Sequence, residues 1–369
     1  MIIYNNANTF FPDNPVPITQ YLITNSIPYY SINMPSTIVV GGFFGDEGKG
    51  KIVAHIAQKD QATIIARGGV GPNAGHTINV LNEKYVVRMV PSGFLYPKAE
   101  LMIGSGVLVD PRVFAHEINI LNCANRTKID GRCGIIEEEH IALDKKDPHL
   151  AKTVGSTGSG CGPANSDRVM RKGRLARDLP ELAPYLTDVP QKVNDAIERG
   201  DSVIIEGTQG FGISLYYGDY PYVTSKDTSA SQMAADVGVG PTNIDNVVVV
   251  FKAFPTRVGS GPFPTELTHE QSVALGIQEF GAVTHRERRI GTWDGKMARY
   301  SAMINGCTTI AITGVDHIDP KVFGATKYTQ LTPKAKAFIN QIETDTGKPV
   351  GIISTGPDQS HIIDIRSEI

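Results

Sequence analysis

The sequence predicts an α/β fold in which a mostly parallel, doubly wound central sheet carries P-loop-like loops at one rim, and three observations lead there. Seven short apolar runs, Thr37–Val40, Thr63–Ala66, Leu101–Ile103, Val203–Ile205, Val247–Phe251, Thr309–Ile312 and Val350–Ile353, alternate with helical segments. Runs that are apolar throughout suit strands buried on both faces, the condition of a parallel sheet covered by helices. Glycine-rich or polar segments follow five of them: Gly41–Lys51, Gly207–Gly210, Thr256–Glu266, Thr313–Asp316 and Ser354–Pro357. Ligands of open parallel sheets collect at the carboxyl ends of strands, so five such loops at one rim imply one large site. Finally, 369 residues with 41% hydrophobic and 20% charged content can bury a large core.

In chain order, residues 1–33 are rich in Asn, Pro and Tyr, poor in charge and without helical period. We read them as an extended N-terminal appendage, ordered only where its aromatics dock. Residues 34–369 then form a single body, without an internal repeat or a dividing linker. A net charge of -3 gives no general attraction to nucleic acid or an acidic membrane, so any anion site is local. The four cysteines are scattered with no C-x-x-C pair, which points to a reducing cytoplasm and away from structural zinc. No apolar run approaches the ~20 residues of a membrane helix, and Met1 opens no secretory leader.

Thr37-Ile38-Val39-Val40, then Gly45-Asp46-Glu47-Gly48-Lys49-Gly50-Lys51, then Ile52–Ala57 reads as strand, turn, helix. Such a turn aims backbone N–H groups and a helix's positive end at an anion, with phosphate the default ligand. The Walker pattern itself fails, because Phe43 stands where its first Gly belongs and Gly50 where its Ser/Thr would hold Mg2+. Asp46 therefore has another purpose. Arg67–Thr77 is a second glycine-dense loop, carrying Asn73 and His76, and an imidazole there suits a transferring phosphoryl group. Gly155–Pro163, with Arg168, Arg171, Lys172 and Arg174 behind it, supplies small hydroxyls and arginines suited to a phosphate monoester. The basic residues of Thr284–Arg289 suit a dicarboxylate or a phosphate. Thr313-Gly314-Val315-Asp316 sits where guanine-nucleotide enzymes place an Asn/Thr-Lys-x-Asp motif, with Gly314 at the Lys position.

Together the motifs GDEGKGK, NAGHT, GSTGSGCGPA, EGTQG, YPYVTS, TRVGSGPFPTE, RRIG and STGP resemble, from about Met34 to the C-terminus, the adenylosuccinate synthetase family in its compact archaeal-type form. The resemblance implies nucleotide-binding loops and a ligase: a nucleoside triphosphate phosphorylates the 6-oxygen of a purine nucleoside 5′-monophosphate, and the amine of L-aspartate then displaces the phosphate. It implies that Asp46 removes the N1 proton and, with the Gly75 carbonyl, ligates Mg2+, and that His76 acts at O6. Lys49 and Gln209 complete the catalytic set. Gly45, Glu47, Gly48, Lys49, Gly50, Lys51 and Thr77 would hold the triphosphate, with Asp316, Ser354, Gly356 and Pro357 around its base. Asn73, Ser156, Thr157, Gln209, Thr224, Val258 and Arg286 would hold the monophosphate nucleotide, helped by Arg171 of a second subunit, which implies a homodimer. Thr284, Arg286 and Arg288 would grip aspartate.

Several site positions depart from the family pattern. Phe43-Phe44 replaces a usual Gln-Trp, His285 and Glu287 interrupt an arginine run, Thr292 takes a usual Trp position, and Gly314 replaces a base-stacking Lys. The last widens the donor to adenine nucleotides, although Asp316 still favours guanine. These changes point to the phage branch of the family, which uses dGMP with ATP or dATP and makes the 2-aminoadenine precursor. Phe43 would lie near the sugar and disfavour a 2′-hydroxyl. Some members of that branch carry Ser in place of Asp46, a marker this chain lacks, but Asp46 does not exclude a guanine substrate, since a carboxylate facing N1 could also accept from the N2 amino group. The alternative is the ordinary enzyme, IMP with GTP. A GTPase-like switch predicts no second phosphate site, and the Thr157 and Arg286/Arg288 loops count against it. A nucleic-acid binder conflicts with the acidic balance.

Overall fold

The computed structural model describes residues 36–81, 83–277, 279 and 288–369, so the appendage at 1–33 lies outside the described residues. Sixteen strands occur among the described residues: β1 (Ser36–Gly41), β2 (Ile64–Arg67), β3 (His76–Val80), β4 (Glu83–Val87), β5 (Glu100–Ile103), β6 (Leu108–Val109), β7 (Thr127–Asp130), β8 (Gly134–Ile135), β9 (Leu186–Thr187), β10 (Val203–Glu206), β11 (Asn246–Lys252), β12 (Thr256–Arg257), β13 (Arg289–Ile290), β14 (Thr309–Thr313), β15 (Val350–Ser354) and β16 (Ile362–Asp364). Ten of them form one sheet in the order β16-β15-β14-β11-β1-β10-β2-β5-β7-β9. Every pairing in it is parallel except that of the edge strand β16 with β15. All seven anticipated strands lie in this sheet.

The sheet is apolar on both faces because consecutive strand residues point to opposite sides. Ile38, Val40, Ile205, Val249 and Phe251 enter one packed layer, whereas Val39, Ile204, Val248 and Val250 enter the other. Each such side chain, fully buried, contributes about 1.5–3 kcal/mol before ordering costs are subtracted. Helices on both faces start and stop where their residues require. Pro111–Ile120 is capped by Asp110, whose carboxylate accepts from the Arg112 N–H, and Pro111 at the first position has no N–H to satisfy. Pro333–Thr346 repeats the device with Thr332 and ends at Gly347, whose φ of 67° suits a residue without a Cβ.

The segments after β1, β2, β10, β11, β14 and β15 all leave the same rim of the sheet, as the parallel pairing requires. The antiparallel hairpin β3–β4 rises from that rim, with His76 as its first residue. No described helix is long and apolar enough to cross a membrane.

Candidate active site

After β1 the chain turns through Gly42–Gly48 into the helix Lys49–Lys59. Gly48, its N-cap, has φ 84°, and no side chain caps the first turn. The free amides and the positive end of the helix dipole form an anion site. Contacts from other loops shape this turn. A Cβ on Gly210 would overlap the Gly45 nitrogen and lie 2.6 Å from the Phe43 carbonyl oxygen. Glu47 is buried and braces the turn from within: its carboxylate accepts from the N–H groups of Phe43 (3.1 Å) and Gly45 (2.8 Å) and pairs with Lys49 at 2.6 Å. Asp46 and Gln209 both have left-handed backbones, φ 60° and 56°. For residues with a Cβ this stores about 1–3 kcal/mol each and is typical of functional sites.

Beside the turn lies a cavity of about 550 Å³. The structure brings many of the anticipated residues into its lining: Gly45, Asp46, Gly48, Lys49, Gly50, Asn73, Gly75, His76, Thr77, Ser156, Thr157, Gln209, Thr224, Val258 and Arg288. A chain of amides runs across it, from Gln209 Nε2 to Asn73 Oδ1 at 2.7 Å and from Asn73 Nδ2 to Thr224 Oγ1 at 3.3 Å. Thr157 Oγ1 meets Ser159 Oγ at 2.8 Å, and the Gly158 N–H donates to Ser156 Oγ at 3.2 Å, which sets small hydroxyls along one wall. Arg288 places Nη2 2.7 Å from Asp46 Oδ2 and Nη1 2.7 Å from Glu279, which also holds the buried Lys252. The side chains assigned to aspartate and to the nucleotide ring thus meet at one ion pair.

His76 is buried, and its two ring nitrogens have different surroundings. Nδ1 bonds to the Glu206 carboxylate and lies 3.1 Å from Ser92 Oγ, whereas Nε2 has no partner in the protein. Glu206, fully buried at the end of β10, also accepts from the Ser92 N–H at 2.6 Å and faces Arg67, whose Nη2 donates to the Ala74 carbonyl at 3.1 Å. Burial opposes the Glu206 charge, but His76 and Arg67 outweigh it and hold this carboxyl at about 2. Burial lowers the His76 pKa from its ordinary value, against the pull of Glu206. The ring therefore donates Nδ1–H to Glu206 and leaves Nε2 unpartnered, in a residue that lines the cavity. An anion arriving at Nε2 supplies charge that favours the imidazolium. Glu206, Arg67 and Ser92 were not singled out from the sequence. A glutamate closing an otherwise apolar strand was the available signal.

Other anticipated residues lie elsewhere. Lys51 turns away from the cavity and donates to Ser354 Oγ (2.7 Å), the Gly356 carbonyl (2.6 Å) and the His361 carbonyl (3.1 Å). Burial pushes its pKa down to about 7, against Asp316 and Asp358. Ser354, Gly356, Pro357 and Asp316 lie on the loops after β15 and β14, outside the cavity lining. Arg171 is exposed, two residues beyond the helix Cys161–Val169, and does not reach the cavity of its own chain. Thr284 and Arg286 lie outside the described residues. The reading of Phe43 is corrected. Its ring is 1% exposed and packs edge-on against Phe251 and Trp293 at 4.9 and 5.3 Å, deep in the core, so it cannot screen a sugar. Phe44 lines the cavity instead, under the Arg257 guanidinium at 4.7 Å.

The donors suit Mg2+. Asp46 offers one carboxylate and Gly75 one backbone carbonyl beside an anion-binding turn, and hard oxygen ligands completed by phosphate oxygens are what this ion takes.

Comparison with known proteins points to one family. The family model for adenylosuccinate synthetase matches residues 38–182 and 175–321. The adenylosuccinate synthetase of Archaeoglobus fulgidus is 62% identical over 335 residues, 91% of this chain and 99% of that protein. That of Pyrococcus horikoshii is 59% identical over 339 residues, 91% of this chain and all of its own length. Among solved structures, fully ligated adenylosuccinate synthetase from Plasmodium falciparum superposes with a TM-score of 0.82 at 25% identity, covering 89% of this chain and 99% of that one. The succinoaminodeoxyadenylate synthetase of cyanophage S-2L, bound to dGMP and dATP, reaches a TM-score of 0.77 at 24% identity over 90% and 96%, which speaks for the fold alone. The chain belongs to the adenylosuccinate synthetase family.

Proposed function

We propose that this chain is an IMP-using adenylosuccinate synthetase, with GTP as donor and Mg2+ as metal, acting as a homodimer whose catalytic body is residues 34–369. The carrying observation is 62% identity along essentially the whole of an enzyme named for adenylosuccinate, a product whose ring and ribose derive from IMP. The dGMP reading loses its sugar-screening residue with Phe43 in the core, and its structural relative is only 24% identical. Arg171 supports the dimer: it is exposed beside exposed Val169 and Met170, and free to enter a neighbour's site.

In this reading the ring of IMP enters beside Asn73 and Gln209, with its phosphate toward Ser156, Thr157, Thr224 and the partner's arginine. Val258 packs against it. The Asp46 carboxylate takes the N1 proton, so negative charge moves to O6, and O6 attacks the γ-phosphorus while the nucleoside diphosphate departs. His76, at Nε2, stabilises charge on the transferring group. Lys49, Thr77 and the amides of Gly45, Gly48 and Gly50 hold the triphosphate, which the metal helps to neutralise. Glu47 serves from beneath, as the brace of Lys49. The amine of L-aspartate, gripped by Arg288 with Thr284 and Arg286, then attacks C6. The C6–O6 bond breaks and phosphate leaves with the O6 oxygen, while Nε2 of His76 accepts the proton that the attacking amine loses and hands it to the departing phosphate. Asp316, Ser354, Gly356, Pro357 and Lys51 build the donor-base side.

The test is turnover by the purified chain with L-aspartate, Mg2+ and GTP, offering IMP or dGMP. Conversion of IMP with little or none of dGMP is expected, and preferential use of dGMP would overturn the proposal.

A further inference from the structure

The two lysines of the first loop face different ways. At 3.6 residues per turn, positions two apart on a helix point roughly 200° from one another. Lys49 lines the cavity, and Lys51, two positions on, emerges on the opposite side of the same first turn. An ammonium has three N–H donors, and those of Lys51 go to Ser354 Oγ, the Gly356 carbonyl and the His361 carbonyl, which leaves none for a phosphate. These acceptors span the loop that joins β15 to β16. The same loop is stitched on its other side to the hairpin that begins with His76. The Gln359 N–H donates to the Asn79 carbonyl at 2.8 Å, and the Asp358 carboxylate accepts from the Leu81 N–H at 3.1 Å. Thr355 is fixed from below through its hydroxyl, 2.7 Å from the Ala325 carbonyl.

We propose that Lys51 is a positioning residue for the donor base: its buried ammonium clamps the Ser354–His361 loop in the shape that selects the base of the triphosphate. The inference rests on the reading of this loop as the donor-base side of the site. It separates the loop's two cations by task, Lys49 for the phosphates and Lys51 for the base.

Binding of GTP and ATP to the full chain, by calorimetry with non-hydrolysable analogues, tests it. Lys51→Met keeps the chain length and removes the donors. GTP binding should weaken by at least ~10-fold and ATP binding by less than ~3-fold, with KM for IMP and L-aspartate unchanged. A lysine contacting phosphates would weaken both donors by the same factor, and that result overturns the inference while leaving the ligase reading intact. A wild-type chain indifferent to the donor base overturns the donor-base reading and the inference with it. Should Lys51→Met fail to fold, Asp358→Ala releases the same loop from its hairpin side. A smaller GTP preference then supports the clamp, and an unchanged one overturns it.

Discussion

His76 meets Glu206 through Nδ1 and leaves Nε2 unpartnered, and Asp46, in the lining of the same cavity, holds a left-handed backbone and pairs with Arg288. If these groups move protons, Asp46→Ala and His76→Ala fold as the wild type does and lose turnover by at least ~10²-fold, a loss measured in a saturating assay. Glu206→Gln acts differently, since it leaves the fully buried Arg67 without its counter-charge. We expect about 3–5 kcal/mol of lost stability in urea titrations at pH 7. The pH dependence follows from the two shifts. Glu206, lowered to about 2 from an ordinary 4.5, contributes stability that is complete above pH 4.5 and is lost as pH falls through its folded value. His76, lowered from 6.5, adds to the loss, because below pH 6.5 the unfolded chain takes up a proton that the folded ring resists. The urea midpoint should therefore begin to fall below pH 6.5 through His76, whereas the gap between wild type and Glu206→Gln should persist down to pH 4.5 and narrow only below it. Asp46 and His76 were legible because each stands among glycines in a loop after a strand. Glu206 was not, since nothing near it in sequence says which imidazole it meets 130 positions away.

At the scale of elements, the site is a set of loops that shape one another. Gly210, in the loop after β10, lies so close to the first loop that any side chain would strike its backbone. Gly210→Ala is expected to cost about 1–3 kcal/mol, as overpacking does, and to raise KM for the triphosphate together with that for IMP, because the displaced turn carries groups for both. A thermal melt and initial-rate kinetics check the two parts. The seven strands of continuous apolar residues were readable because burial on both faces leaves an unambiguous pattern. The hairpin β3–β4 was not, since its strands are partly exposed and carry Thr, Asn, Glu and Lys. Strand β9 has two residues, too few for any period. The Phe43-Phe44 pair shows the same limit. Both lie in the bend after β1, where no strand period applies, and only the three-dimensional setting decides that Phe43 enters the core and Phe44 lines the cavity.

Across the whole molecule, Arg171 stands away from the cavity to which the resemblance assigns it, which a second subunit would resolve. Arg171→Ala alone should be nearly inactive, and so should Asp46→Ala. Mixed in equal amounts and allowed to exchange subunits, they should recover about one quarter of wild-type activity, because half the dimers are hybrids with one intact site. Sequence alone could place Arg171 behind a phosphate loop but could not say whose phosphate it meets. The sheet has a further consequence, for synthesis. β1 and its loop are made early, yet the Lys51 ammonium is completed by Ser354, 303 positions later. Contacts of such separation form slowly, since a long loop must close before they stabilise anything. A chain still on the ribosome therefore cannot close the donor-base loop on Lys51 until β15 has emerged, so selective capture of the triphosphate waits for that strand.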